Sequence, residues 1–267
     1  MIRLAALDLD GTLLGPDWQV SDEDRDAVVA ARDRGVHIVL NTSRWYGIAQ
    51  RTARRLELRD PLICHNGAHI KEPDGGADLL HMTVPQDAAL EITAFCDERG
   101  YETYTTVDAI TYMRSRWEDR IDPARLPKDM RIAKTHREHV TGPVSGIVIF
   151  SEEAVRLITD TFGEPYDGVL AFPVGRSESM QPYVTVTAAG ADKGNALQLV
   201  CQRLGVPADE VIAMGDAAPD IAMFELAKIG VAMGNAPDDV TARADAVAPS
   251  NADAGVAWAL RRFVLEA

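Results

Sequence analysis

Asp8 and Asp10 stand two residues apart at the end of the apolar run that opens the chain, LAALDLDGTLL, with Gly11 and Thr12 directly after them. Side chains one residue apart on a strand point to opposite faces, and those two apart share a face. Both carboxylates are therefore delivered together where the chain leaves a strand. In open α/β sheets the loops at those carboxyl ends form the usual ligand crevice. Carboxylates placed there can act as nucleophile, as proton carrier, or as oxygen ligands for a hard cation. The competing reading is a strand that simply ends in solvated acids. A D-x-D pair alone does not decide between the two, whereas D-x-D followed by G-T at the end of the first apolar strand favours chemistry.

The elements around this pair read as a strand–helix alternation. The first strand covers about Arg3 to Leu9. Ser21 is a helix N-cap with Asp24 three residues on, a weak capping box, and Gly35 suits the left-handed position past the helix end. The acids of SDEDRD read as the solvated first turn of that helix, favoured by its dipole and without function. Val36 to Thr42 is a buried strand, Gly47 to Leu56 a helix, and PLICHNGAHI a third short strand with a turn at Asn66-Gly67. Strand, helix, strand, helix, strand implies a parallel sheet with right-handed crossovers. The rhythm resumes with a helix over Lys193 to Leu204, the strand Val211 to Met214, a helix over Pro219 to Ala227, two more strands and a closing helix. Between Met82 and Pro182 the pattern changes: a helix over Gln86 to Arg99, paired Thr- and Tyr-rich strands, then strand, helix, strand. The fold class is α/β, divided as 1–81 and 183–267 for the sheet domain with 82–182 as a separate α/β insert. The basic stretch Arg114 to Arg137 reads as an exposed loop.

A chain of 267 residues suits a core domain carrying a smaller one. With 46% hydrophobic and 25% charged residues it can bury a sizeable core. The formal charge of −14 argues against a sequence-independent nucleic-acid binder, which needs a basic face. A site for an anionic substrate must then build its own positive potential against the bulk field. Cys64, Cys96 and Cys201 are odd in number and scattered, which suits reduced thiols in the cytoplasm. The opening MIRLAALDLDG is too short and too soon acidic for a signal peptide. No apolar run reaches the roughly 18 residues of a membrane span. The expectation is a cytoplasmic protein without membrane or nucleic-acid partners; oligomeric state is not legible.

The motifs together resemble the haloacid dehalogenase superfamily of phosphohydrolases, in its Cof-like branch. D-x-D-G-T matches Asp8 to Thr12, and NTSR resembles the branch's A-T-G-R, placing Thr42 as the hydroxyl at the end of the second strand, followed by Ser43 and Arg44. ICHNGAHI resembles the N-G-A segment and contains Asn66. DKGNAL resembles K-G-x-A-L with Lys193, and MGDAAPDIAMF resembles G-D-x-x-N-D-x-x-M with Asp216 and Asp220. GNAPDDV and PSNADAGVAWAL match weaker signatures. The matches run from near residue 3 to near residue 260, and the insert, which carries no such motif, occupies the place of the branch's α/β cap.

The resemblance implies a Rossmann-like parallel-sheet core with an inserted α/β cap, and a Mg2+-dependent phosphatase acting on a small phosphate ester such as a sugar phosphate through an aspartyl-phosphate. Asp8 is then the nucleophile and Asp10 the general acid and base. Thr42 and Lys193 steady the phosphoryl oxygens, and Ser43, Arg44 and Asn66 line the phosphate or substrate. The ion is held by Asp8, Asp216 and the Asp10 backbone carbonyl, with Asp220 behind them. Phosphoryl transfer does require an in-line nucleophile, neutralisation of the equatorial oxygens and proton delivery to the leaving oxygen, and these residue types supply all three. In isolation Lys193 reads as a surface lysine, Thr42 and Ser43 as caps, and Asp216 and Asp220 as caps at a strand-to-helix turn. Yet a helix N-terminus disfavours a cation unless an anion is there to be held.

Three departures stand out: Pro219 for the usual Asn, Ser43 for Gly, and Asn41 for a small apolar residue. Proline fits the first helical position, so the helix start is expected to survive. Tyr112, Arg114, Arg116, Trp117 and Arg176 are candidates to touch a leaving group, with surface or cap-core roles as the alternative, and His65 could face substrate. Two rival functions remain at this level: a phosphosugar mutase of the same fold, and a catalytically silent binding module.

Overall fold

The computed structural model describes residues 1–115, 118–176 and 181–266. They form two compact units, Met1–Leu80 with Asp192–Ala267, and His81–Ala191. The chain runs β1 (Leu4–Leu7), α1 (Asp22–Asp33), β2 (His37–Leu40), α2 (Tyr46–Arg55), β3 (Leu62–Cys64), β4 (His69–Lys71) and β5 (Asp78–His81). The second unit follows with α3 (Gln86–Arg99), β6 (Glu102–Val107), β7 (Ile110–Arg114), β8 (Met130–Ile132), β9 (Val144–Phe150), α4 (Glu152–Phe162), β10 (Leu170–Ala171), β11 (Val174–Arg176) and β12 (Pro182–Ala188). The first unit is completed by α5 (Lys193–Leu204), β13 (Val211–Gly215), α6 (Ile221–Leu226), β14 (Ile229–Ala232), α7 (Asp238–Thr241), β15 (Ala246–Val247) and α8 (Gly255–Leu260).

The first unit is built on a parallel sheet of order β15-β14-β13-β1-β2. β1 is apolar at every position because both of its faces are covered. Leu4 and Ala6 pack with Leu197, Val200 and Phe224, while Ala5 and Leu7 pack with Val28, Ala53 and Leu260. Each leucine so buried contributes about 1.5–3 kcal/mol. The chain winds from β1 to β2 on one side and returns to β13 on the other, so the strand order reverses between β1 and β13. A reversal of that kind opens a crevice beyond the strands' carboxyl ends, and there Asp8 and Asp216 are found.

Local expectations meet their physical counterparts at α1. The Ser21 hydroxyl accepts the Asp24 N–H at 3.0 Å, and Gly35 takes φ +85° past the helix end. Asp24 itself departs from the solvated-acid reading: it is buried, and its Oδ1 accepts the Ala257 N–H at 2.8 Å, capping α8. Burial raises its proton affinity above the ordinary carboxylate value despite the Ser21 and Ala257 hydrogen bonds. The third strand also differs. β3 pairs antiparallel with β4 in a small β3-β4-β5 sheet and meets the parallel sheet at the Asn41–Ile63 bridge.

The second unit is a sheet of order β10-β12-β9-β6-β7-β8 with β11 beside β12. α3 and α4 cover one face: Ala88, Ile92, Ala154 and Ile158 pack on Ile147, Ile149, Val184 and Val186. A boundary at residue 182 would cut this sheet, since Tyr183 to Val186 pair with Phe150 to Ile147 on β9; the unit runs on to Ala191. The stretch 114–137 is not simply an exposed loop. Met130 to Ile132 add a strand parallel to β7, and His136 is fully buried, its N–H given to the Asp97 carboxylate at 2.9 Å. Tyr112 stacks on His139 at 4.1 Å and Arg114 donates to the Asp97 carbonyl, so both are engaged inside the unit. Arg176 ends β11, and Arg116 and Trp117 lie outside the described residues. Among the described residues no helix is long and apolar enough to cross a membrane.

Candidate active site

Asp8 follows β1 directly and is 4% exposed, its N–H continuing the ladder to Met214 O at 3.0 Å. Across the crevice, Asp192 caps α5 by accepting the Asn195 N–H at 2.8 Å, which leaves Lys193 as the first helical residue. The lysine turns inward rather than to solvent. Its Nζ, 3% exposed with its side chain, donates to Asp8 Oδ1 at 2.7 Å and to Asp220 Oδ1 at 2.5 Å. Burial alone would discharge this amine, but the two carboxylates outweigh it and hold its proton affinity above the ordinary lysine value. The unfavourable cation at a helix start is thereby explained.

Asp220 completes the 3-10 turn Ala218–Asp220, in which Pro219 presets the entry. Its Oδ2 accepts the N–H groups of Asp216 and Ala217, both at 3.0 Å, so both oxygens are engaged. Two glycines allow these approaches: a Cβ on Gly215 would lie 2.3 Å from the Asp220 Cβ, and one on Gly194 would lie 2.5 Å from Ala222 O. Asp216 leaves β13 and accepts the Thr12 hydroxyl at 3.2 Å. Gly11 (φ +76°) runs so close beneath it that a Cβ would stand 2.2 Å from Asp216 Oδ2. Asn235 ties both: its Nδ2 donates to Gly11 O at 2.9 Å and reaches Asp216 Oδ2 at 3.4 Å, while its Oδ1 accepts the Asn251 N–H at 2.9 Å.

Carboxylate oxygens of Asp8, Asp216 and Asp220 all lie within 4.8 Å of one another. Three carboxylates and one ammonium leave an excess of two negative charges in a buried site. Burial is the largest reason that Asp8 is raised well above its ordinary value, with Lys193 opposing and Asp220 and Asp216 adding. Asp216 is pushed up to about 7 by burial and then by Asp220, against Lys193. Such excess charge and all-oxygen donors fit a hard divalent cation. Because Asp220 has spent both oxygens, Asp8 and Asp216 are the carboxylates left to hold it.

A second group lies on the loop after β2. The Thr42 hydroxyl accepts the Arg44 N–H at 3.1 Å, a bond that does not use its own O–H. Asn66 N–H donates to Thr42 O at 3.1 Å. Asn66 (φ +54°) and Gly67 (φ +98°) are left-handed, and the turn presses on the α5 start so closely that a Cβ on Gly67 would sit 2.3 Å from Asp192 O. Asn41, unexpected at its position, donates from Nδ2 to Lys193 O at 2.9 Å and so joins this loop to α5. Ser43 sits partly exposed between Thr42 and Arg44.

The candidates thus divide. Asp8, Lys193, Asp216 and Asp220 converge, and Asp220 joins the group through Lys193, whose ammonium donates to it directly. Asp10 and Arg44 converge on each other. The Arg44 Nε donates to Asp10 Oδ2 at 2.5 Å and its Nη2 to Asp10 Oδ1. The guanidinium fork proposed for phosphate is therefore given to a carboxylate, and any hold of Asp10 on a cation falls to its backbone carbonyl. Thr12 and Asn235 were missed as site residues. Thr12 was in plain view within D-x-D-G-T, and Asn235 within the weaker GNAPDDV.

A family model described as haloacid dehalogenase-like hydrolase matches residues 5–260. The chain is 30% identical to Phosphatase YwpJ of Bacillus subtilis over 98% of this chain and 100% of that protein. It is 29% identical to 5-amino-6-(5-phospho-D-ribitylamino)uracil phosphatase YcsE of the same organism, covering 99% and 96%. A solved haloacid dehalogenase-like hydrolase from B. subtilis superposes with a TM-score of 0.84 at 25% identity, covering 98% of this chain and all of that one.

Proposed function

The chain belongs to the haloacid dehalogenase-like hydrolase family and is a phosphoric monoester hydrolase; from that premise we propose a magnesium-dependent phosphatase that works through an aspartyl-phosphate on Asp8. The observation that carries this reading is the buried cluster in which Lys193 is held between Asp8 and Asp220 beside Asp216.

Asp8 attacks phosphorus in line, the ester P–O bond breaks, and Asp10 gives its proton to the leaving oxygen. Asp10 then takes a proton from water as that water attacks the phosphoenzyme, releasing inorganic phosphate and restoring Asp8. Lys193 and the Thr42 hydroxyl steady the equatorial oxygens where negative charge gathers. Mg2+, held by Asp8, Asp216 and the Asp10 carbonyl, would offset repulsion between an anionic nucleophile and an anionic ester. Asp220 keeps Lys193 charged and aimed. Asn66, whose N–H is bonded to the Thr42 carbonyl, is assigned to the substrate side of the same loop cluster.

We assign leaving-group choice to the second unit, as the family's cap, and take the substrate to be a small phosphorylated metabolite, a sugar phosphate or similar. The name of the YcsE relative, which carries a phosphorylated ribityl group, supports that class. A cytoplasmic setting suits the three free, buried cysteines. The test is release of inorganic phosphate from a panel of phosphorylated metabolites in magnesium. Wild type should release phosphate, chelator should stop it, and Asp8→Asn should lose at least about 10³-fold, the order expected when a covalent nucleophile is removed. Phosphate handed back to a sugar instead would indicate a mutase, and near-normal turnover by Asp8→Asn would refute the reading.

A further inference from the structure

We propose that Arg44, backed by Trp18, is a positioning residue that fixes the Asp10 carboxylate for proton transfer, rather than a ligand of the substrate phosphate. The proposal rests on the phosphatase reading above and goes beyond it.

Four observations converge. First, the contact is a fork on a carboxylate: Nε meets Oδ2 at 2.5 Å and Nη2 meets Oδ1. Two parallel bonds fix the carboxylate plane as well as its place, which a point charge cannot do. Second, the backbone of Arg44 is tied on both sides, its N–H to the Thr42 hydroxyl at 3.1 Å and its carbonyl to the His65 N–H at 3.0 Å. Third, the guanidinium carbon lies 4.3 Å from the centre of the Trp18 ring, so one face of the fork is covered by an indole. Fourth, Trp18 is held in the left-handed region (φ +63°) and is 43% exposed. A bulky residue rarely adopts that backbone, and strain of this kind collects at functional sites. Trp18 is kept there by the turn in which its N–H donates to Gly15 O at 2.9 Å and Gly15 N–H donates to Gln19 O at 2.8 Å.

The chemical consequence follows from lone pairs. A carboxylate offers about four acceptor sites on two oxygens. The fork occupies the two that face Arg44 and leaves the outward ones for the reaction. In the first step the ester P–O bond breaks, its electron pair stays on the leaving oxygen, and that oxygen takes the proton carried by Asp10. In the second step Asp10 accepts a proton from the attacking water. Both transfers need an oxygen within hydrogen-bond reach and correctly aimed. Asp10 and Arg44 are partly exposed, with 29% and 21% side-chain accessibility, so an uncovered pair would be a weak constraint. The Trp18 cover and the fork together supply the constraint.

A leaving group that needs no proton gives the decisive experiment. With p-nitrophenyl phosphate the departing phenolate is stable unprotonated, whereas an alkyl phosphate such as glycerol phosphate needs the proton as the bond breaks. kcat/KM reports the steps through formation of the phosphoenzyme, so the two esters isolate the acid role. Arg44→Ala should lower kcat/KM for the alkyl ester by about 10²-fold, at the low end of what a positioned acid supplies, and by at least ten times less for the aryl ester. Arg44→Lys, which keeps the charge and loses the fork, should show the same alkyl–aryl split, and added guanidinium ion should narrow it in Arg44→Ala. Trp18→Ala should move in the same direction by a smaller factor, with circular dichroism confirming the fold of each variant. Equal losses on both esters, or Arg44→Lys behaving as wild type, would overturn the positioning role while leaving the phosphatase reading intact. Wild type inert on both esters and on the metabolite panel would overturn the phosphatase reading itself.

Discussion

Replacing Lys193 by Met keeps most of the buried stem and removes the ammonium. Two charge-assisted hydrogen bonds disappear, at 2.7 Å to Asp8 and 2.5 Å to Asp220. At about 1.5–3 kcal/mol each the loss sums to about 3–6 kcal/mol, in line with the roughly 3–5 kcal/mol measured when one partner of a buried pair is removed. With all three carboxylates ionised the excess charge on the cluster rises from two to three, so the penalty depends on whether the carboxylates can take protons instead. Asp216 already holds its proton up to about pH 7, against an ordinary value near 3.8. A raised native value means that the folded state binds a proton the unfolded state releases. The associated stability is full below about pH 4 and is lost as pH rises through about 7.

Lys193→Met is therefore expected to be destabilised by about 3–5 kcal/mol at pH 8, and by clearly less at pH 5, where protonation substitutes for the missing cation. At about 2–4 °C per kcal/mol for chains of this size, the midpoint at pH 8 should fall by roughly 10 °C. Circular dichroism melts in chelator at both pH values measure this without dependence on turnover. Phosphate release should fall together with stability, by about 10²–10³-fold, the cost of removing one preorganised charge-stabilising donor. A variant that melts within about 1 kcal/mol of wild type at pH 8, or a deficit that does not shrink at pH 5, would refute the claim that the ammonium neutralises this cluster.

Two further outcomes follow from the same geometry. Asn235→Ala frees the Gly11 carbonyl and one side of Asp216; it should cost about 1 kcal/mol of stability and weaken magnesium binding measured by calorimetry, and unchanged affinity would show that Asn235 does not orient Asp216. In the second unit, burial holds His136 down at about 4, with Asp97 opposing and Arg114 and His139 adding. A lowered native value makes the stability present above about pH 6.5 and lost as pH falls toward 4, about 3 kcal/mol in all; urea melts of wild type and His136→Met should converge on acidification, and parallel curves would exclude His136 as the cause.

The parts legible from sequence are those fixed by local pattern. β1, α1 and α5 could be read because burial on two faces, a Ser N-cap and a helical apolar stripe are written within a few consecutive residues. The placement of Asp8 directly after β1 could be read because a D-x-D-G-T run combines a strand end and a turn. The parts that were misplaced depend on pairings across the chain. The solvated-acid reading of Asp24 failed because its partner, the Ala257 N–H, is 233 residues away. The boundary at 182 failed because β12 is placed by pairing with β9, which no composition shift announces.

Asp220 shows most clearly where local reasoning stops. An acid in the first turn of a helix is fully accounted for by the helix dipole, so nothing nearby in sequence demands a second role for it. The demand comes from Lys193, 27 residues earlier. A buried ammonium at a helix start needs anionic company, and under the proposed mechanism Asp8 alone would have to serve both as its counter-ion and as a nucleophile free to attack. Asp220, fully buried and itself pinned by two backbone N–H groups, takes over the structural half of that task. The division leaves Asp8 with a charged neighbour that the cluster does not require it to hold alone. The tie between Asp220 and Lys193 becomes readable only once α5 and the turn before α6 are seen to meet.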